Sequence, residues 1–108
     1  MVFLTYAVSI HGLDYRAGCA LVLDYTDDVP SFAVVNAVIV ADHTKYFVVT
    51  KVNMMYDKHI LSYVICDFGE EHFVPYSKLA FKWPLSVYSY NGKQAVMNVN
   101  SHCYAYPF

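Results

Sequence analysis

The sequence predicts an all-β fold: a single small antiparallel barrel or sandwich of seven to eight strands, spanning residues 1–108. Apolar runs rich in Val, Ile, Phe and Tyr recur along the chain, turn-forming residues separate them, and no segment has the period of an amphipathic helix. With 57% hydrophobic residues, a chain of 108 residues can bury a core without the support of disulfides or a metal.

Residues 31–52 form the centre of the predicted fold. Two apolar runs, SFAVVNAVIV and YFVVTKV, flank a polar break, which predicts two paired strands with a turn at residues 42–44. Strict alternation divides the first run into two faces, one with Phe32, Val34, Val38 and Val40 and the other with Val35, Ala37 and Ile39. Both faces are apolar, so we expect both to be covered.

Before this centre, we expect a strand over residues 2–10, a break at 11–14, a strand over 18–25 and a loop over 26–30. Pro30 cannot donate a ladder hydrogen bond, so it belongs at the edge of the next strand.

After the centre, residues 53–59 either extend the preceding strand or form an irregular crossing. Residues 60–68 predict another strand, 69–71 a turn, 72–75 a short strand, and 77–83 a short helical turn. Asn91-Gly92 favours a type I′ turn, which predicts a hairpin over residues 87–99. The aromatic tail, residues 101–108, is expected to pack back onto the domain.

Composition excludes several classes of partner. The net charge is −2 and the seven Lys and Arg residues are scattered, which disfavours nucleic-acid binding. No stretch has the length of a membrane span, and the apolar start lacks the basic residues of a signal peptide. The charged fraction of 15% is low, which fits a compact all-β core and also fits a domain of a larger protein or an oligomer with an apolar contact face.

The three cysteines do not form a disulfide framework. Cys19 and Cys66 lie inside apolar runs and are expected to be buried free thiols, which indicates an intracellular setting. The nearest approach to a metal site is His102 beside Cys103, but adjacent strand residues point to opposite faces. No Gly-x-Ser-x-Gly turn or glycine-rich phosphate loop occurs. We therefore predict no metal, no cofactor and no enzymatic activity, with a thiol or metal-dependent enzyme as the least favoured alternative.

Aromatic and acidic residues are the remaining candidates for a binding site. The chain has eleven Tyr, and rings are concentrated around the last hairpin, close in sequence to a group of carboxylates. The candidate binding residues are Tyr76, Phe81, Trp83, Tyr88, Tyr90, Asp67, Glu70 and Glu71. Rings beside carboxylates can form a cage for a methylated lysine. The same rings also suit the core of a small β fold, and that simpler interpretation is favoured.

A series of hydrophobic and turn residues resembles a known β-rich domain. The series consists of residues 18–24, Pro30-Ser31-Phe32, residues 38–40, Phe47-Val48, Tyr56, His59, Tyr63, Leu79, Pro84-Leu85 and Tyr88. It is similar to a domain of uncharacterised animal proteins, many of them transposon-derived and some with zinc fingers upstream. Ala33 departs from the pattern, which commonly has glycine there. The resemblance implies a nuclear, chromatin- or transposon-associated interaction domain without catalytic residues.

Together these observations predict a non-catalytic module that binds a protein or peptide, with self-association into a homo-oligomer as one version. Strand addition to an exposed sheet edge is the simplest mode, because unpaired backbone groups supply the affinity. The alternative is a reader of methyl-lysine in histone peptides.

Overall fold

The computed structural model describes residues 2–97, without the side chains of Tyr90 and Met97, and its all-β fold confirms the predicted class. Ten strands are present in this part of the chain. They are β1 (Phe3–Thr5), β2 (Ala7–Ile10), β3 (Leu13–Arg16), β4 (Ala20–Thr26), β5 (Val29–Val40), β6 (Lys45–Asp57), β7 (Ser62–Pro75), β8 (Phe81–Leu85), β9 (Val87–Tyr90) and β10 (Lys93–Met97). A 3-10 turn covers Tyr76–Lys78, and no helix among these residues is long and apolar enough to cross a bilayer.

One antiparallel sheet contains most of the strands, in the order β8-β4-β5-β6-β7-β10-β9. β1 pairs with the end of β5, and β2 and β3 form a separate hairpin. β8 and β9 lie at opposite ends of the sheet order, yet only Ser86 separates them in the chain. The sheet therefore curls into a half-barrel whose two ends are joined covalently.

The long strands carry two apolar cores on opposite faces. The hairpin core, beneath β2 and β3, consists of Ile10, Tyr15, Leu21, Ala33, Val35, Val38, Phe47, Val49 and Leu79. The curl core, inside the half-barrel, consists of Ala20, Val22, Phe32, Val52, Ile65, Leu85 and Val96. Tyr15 and Phe47 stack at the centre of the hairpin core with ring centroids 5.2 Å apart.

A β-bulge at Asn36 corrects the predicted faces of β5. Val35 pairs with Val49 and Ala37 with Val48, so Asn36 is an extra residue on β5. Beyond it, Val38 and Val40 pack in or against the hairpin core rather than with Phe32. Alternation fails here because one inserted residue exchanges the two faces.

β7 also differs from its prediction. The sequence predicts a turn at residues 69–71, but β7 continues from Ser62 to Pro75 and absorbs its extra residues in two bulges opposite β6. A Cβ atom at Gly69 would lie 3.3 Å from the Lys51 carbonyl oxygen, so glycine permits the close approach at one bulge. β6 likewise extends through Asp57, the first of the two predicted alternatives.

Tight turns explain the remaining differences. The predicted first strand divides at Tyr6 into β1 and β2. A two-residue turn at His11-Gly12 forms the β2–β3 hairpin, where the sequence predicted only a break. The predicted loop over residues 26–30 is a turn at Asp27-Asp28, where both residues have positive φ.

The C-terminal predictions fare better. The Asn91-Gly92 hairpin is confirmed, with positive φ at both residues. The predicted helical turn over 77–83 is reduced to Tyr76–Lys78, because β8 begins at Phe81 to pair with β4. The tail prediction, residues 101–108, lies outside the described residues.

Candidate interaction site on the β7 edge

Among the described residues, one edge of β7 has no partner strand over most of its length. β6 pairs with β7 from Ser62 to Pro75, but on the other side β10 pairs only with residues 62–64. Within residues 2–97, no strand pairs with the second edge of β7 over residues 66–75. Backbone N–H and C=O groups along such an edge can pair with a further strand.

Two phenylalanines stand beside this edge on one face of the sheet. Phe68 pairs with Val52, and Phe73 pairs with Val48. Phe68 is 57% exposed and Phe73 is 66% exposed, which is unusual for large apolar side chains. Partner side chains on an added strand could therefore bury them.

Phe73 belongs to an apolar surface that we call the open face, the side of the long strands opposite the hairpin core. Its residues are Leu4, Ala37, Ile39, Tyr46, Val48 and Phe73, which adjacent strands place in register. Leu4 is 56% exposed. Ala37 and Val48 are buried, so the exposed apolar area of the open face comes mainly from Leu4 and Phe73. Exposed apolar area is typical of contact sites.

Carboxylates line the same stretch of β7. The Asn36 amide donates to Thr50 Oγ1 at 2.8 Å and to Glu71 Oε2 at 3.0 Å. The Asn53 amide donates to Asp67 Oδ2 at 3.1 Å. The Glu70 side chain is 90% exposed and lies 4.0 Å from His72 Nε2. The edge thus has an acidic character, with two of its three carboxylates held by neighbouring amides.

A groove marks the point where β10 stops pairing with β7. It has a volume of about 680 Å³, and Phe68 lines it together with Gly92, Lys93 and Gln94 of the β9–β10 hairpin. A strand added to residues 66–75 would begin beside this groove.

The structure brings the predicted acidic residues together on β7 but separates the predicted aromatic residues. Tyr76 packs against the hairpin core, with its ring centroid 6.0 Å from that of Tyr15. Lys82 Nζ already lies 5.1 Å from the Tyr76 ring centroid. Phe81 packs against the curl core, on the opposite face of the sheet. Tyr76 and Phe81 therefore do not face a common ligand.

The other predicted rings are placed individually. Trp83 is an exposed residue of β8, four places from β7 in the sheet order. The Tyr88 hydroxyl donates to Ser62 Oγ. The Tyr90 side chain lies outside the described part of the structure. A methyl-lysine cage stays a prediction.

Phe68 and Phe73 are not among the predicted site residues. The predicted turn at residues 69–71 lies between them, so the prediction assigned them to two separate strands. The signal that could have found them is the apolar pattern on both sides of Gly69, compatible with one strand that bulges at glycine.

The two described cysteines differ in exposure. Cys19 is half-buried, and burial raises the pKa of its thiol. Cys66 is exposed, so the prediction that it is buried was wrong. Cys66 occupies a bulge on β7 between Ile65 and Asp67, where regular alternation does not apply. Within residues 2–97, no group of three or more His, Cys, Asp or Glu residues could hold a metal ion.

Comparisons of the chain with protein-family models, with curated proteins and with solved structures found no match.

Proposed function

We propose that this domain is a non-catalytic interaction module that binds an extended peptide segment of a partner protein by strand addition to β7. The observation that carries the proposal is the unpaired edge over residues 66–75. Backbone pairing supplies affinity in this mode, and side chains beside the edge supply selectivity.

The side chains of the edge favour a basic and apolar partner strand. Phe68 and Phe73 offer apolar contact area, while Asp67, Glu70 and Glu71 attract cationic side chains. A partner segment that alternates Lys or Arg with Val, Ile or Phe matches both features.

The same charges disfavour self-association through this edge. If two copies paired antiparallel so that Phe68 of one stood opposite Phe73 of the other, Glu70 would stand opposite Glu71 twice. Like charges directly opposite each other destabilise a strand pair. In this register a different protein suits the edge better than a second copy.

We further propose, on the resemblance of residues 18–99 alone, that the partner belongs to a nuclear, chromatin- or transposon-associated assembly. The described residues carry no observation that favours a histone reader over this edge-binding module.

Synthetic peptides test strand addition directly. We expect a ten-residue peptide of alternating Lys and Val to bind and to slow amide hydrogen exchange over residues 66–74. The same peptide with proline at every second position lacks half of its backbone donors and should not bind. Protection confined to other strands, or equal binding of both peptides, would contradict the proposal.

Charge reversal at the edge provides a second test. Glu70→Lys should weaken binding of the Lys-Val peptide on the order of tenfold, the effect of one charged contact. Asp14→Lys, an exposed reversal on β3, is the matched control and should leave the affinity unchanged.

Glu70→Lys should also allow two β7 edges to pair, because the introduced ammonium group would then stand opposite the Glu71 carboxylate of the second copy. Sedimentation at rising concentration should show a dimer for this variant and a monomer for Glu70→Gln. A Glu70→Lys protein that still binds the basic peptide normally would rule out the edge as the contact.

A further inference from the structure

A second cavity lies away from the open face, at the turn that follows β6. It has a volume of about 580 Å³, within the range of small-molecule sites. Met55 and Val64, which are register partners on β6 and β7, form an apolar wall. Met55 is 67% exposed, so this wall has no cover from the described residues.

The charged groups of this cavity are mainly cationic. Lys58 and Lys93 line it from two different elements, the turn after β6 and the start of β10. The carboxylate among the lining residues, Asp57, accepts the backbone N–H of His59 at 2.9 Å through Oδ1 and so is engaged within its own turn. On a chain of net charge −2, two ammonium groups beside an apolar wall form a distinct local environment.

We propose that this cavity binds a small amphipathic carboxylate. The apolar body would lie against Met55 and Val64, and the carboxylate would lie between Lys58 and Lys93. Charge-assisted hydrogen bonds from two ammonium groups favour the anion over its neutral analogue. The site meets the β7 edge at Cys66, and Lys93 also lines the groove beside that edge, but the apolar wall and Lys58 lie outside residues 66–75. The inference therefore does not depend on the proposed function.

Cys66 provides a reporter for the cavity, because this exposed thiol is one of its lining residues. Alkylation by N-ethylmaleimide, in which the thiolate adds to the carbon–carbon double bond and water supplies the proton, can be followed at Cys66 by mass spectrometry. We expect 4-butylbenzoate to slow this alkylation at concentrations where 4-butylbenzyl alcohol does not. Alkylation of Cys19 serves as the internal reference.

Variants separate the lysines from general surface charge. Lys93→Glu and Lys58→Glu should each weaken 4-butylbenzoate binding on the order of tenfold, as expected for one charged hydrogen bond. Lys78→Glu, in the 3-10 turn outside the cavity, should have no effect. Phe73→Lys should also have no effect, which distinguishes this site from the β7 edge.

Direct binding by amide chemical shifts provides a readout that does not depend on the thiol. Shifts confined to residues 55–59, 64–66 and 91–93 support the site. Equal protection by the alcohol and the benzoate, an unchanged affinity in both lysine variants, or shifts on the open face would overturn the proposal.

Discussion

The apolar faces of the long strands β5, β6 and β7 are covered in different ways at the two ends of these strands. At one end the sheet curls and covers its own inner face, which forms the curl core. At the other end a separate two-stranded hairpin covers one face and forms the hairpin core, while no strand within residues 2–97 covers the opposite face. Curvature covers a face only where the strands bend round it, so the open face follows from the arrangement of these strands.

The bulge at Asn36 allows the two ends of β5 to contribute to different cores. Single-residue deletions around it should give the largest difference in stability among the variants considered. Deletion of Asn36 restores regular alternation and leaves Val35 and Val38 on the hairpin core, so we expect a folded protein. Deletion of Val34 instead places Asn36 where Val35 packs, and burial of an unpaired amide costs several kcal/mol. Circular dichroism and urea unfolding of the two variants, which have equal length, measure the contrast. Equal loss of stability in both would contradict the role given to the bulge.

Two matched truncations should separate the cores. Phe47→Ala and Phe32→Ala each remove a fully buried ring and should lower the free energy of unfolding by about 3–5 kcal/mol. Native-state hydrogen exchange should differ between them. Phe47→Ala should deprotect β2 and β3, because Phe47 packs against Tyr15, whereas Phe32→Ala should deprotect β7 near its ring partner Tyr63. Identical exchange patterns would show that the cores open as one unit.

The next largest effect should come from alkaline pH, which should lower the contribution of the hairpin core to the free energy of unfolding. Burial raises the pKa of Tyr15 well above its usual value, with the neighbouring Tyr76 as a smaller cause. As the pH rises, the Tyr15 hydroxyl therefore loses its proton in the unfolded state before it does so in the folded state. The contribution of Tyr15 to the free energy of unfolding is complete below about pH 10 and falls above that pH by about 1.4 kcal/mol per pH unit.

Tyr15→Phe tests this origin of the alkaline loss. At neutral pH the variant should be less stable by about 1 kcal/mol, because it loses the hydrogen bond from the Tyr15 hydroxyl to the Lys82 carbonyl. Its stability should also fall less steeply above pH 10. A slope equal to that of the wild type would assign the alkaline loss to other groups, among them Tyr63, whose pKa is also raised by burial.

The exposed phenylalanines beside the β7 edge should be the least sensitive positions for stability. Phe68→Lys and Phe73→Lys change exposed side chains, so we expect the free energy of unfolding to shift by no more than about 0.5 kcal/mol. Binding of the Lys-Val peptide should nevertheless fall about tenfold or more in each variant. Thermal unfolding alongside peptide titration measures both quantities, and a large loss of stability would assign these rings a structural role instead.

Much of the fold was predictable from the sequence because alternation and turn chemistry are local signals. The paired strands over residues 31–52 and the Asn91-Gly92 hairpin are both confirmed. The bulge at Asn36 has no such local signal, since a bulge depends on which residue the opposite strand supplies, whereas the bulge near Gly69 had a signal in the apolar residues on both sides of the glycine. His11, Asp27 and Asp28 are residue types that adopt positive φ less often than Asn or Gly, so the His11-Gly12 and Asp27-Asp28 turns gave weaker signals.

The candidate site was less predictable than the fold. Residue type identified the acidic residues Asp67, Glu70 and Glu71, but the unpaired edge depends on where β10 stops pairing. The residue at which this pairing ends depends on the tertiary structure and not on residue type. The exposure of Phe68, Phe73 and Cys66 has the same origin, because each follows from what the surrounding strands leave uncovered.

Ser86 gives the half-barrel a mechanical property. Because one residue tethers β8 to β9, the curl can unroll only after β8 peels from β4 or β9 peels from β10. Specific cleavage of the chain at Ser86 would remove this covalent connection between β8 and β9 and leave every strand pair in place. In the cleaved protein, local opening around the curl core should become more frequent, although every strand pair and every other residue is retained.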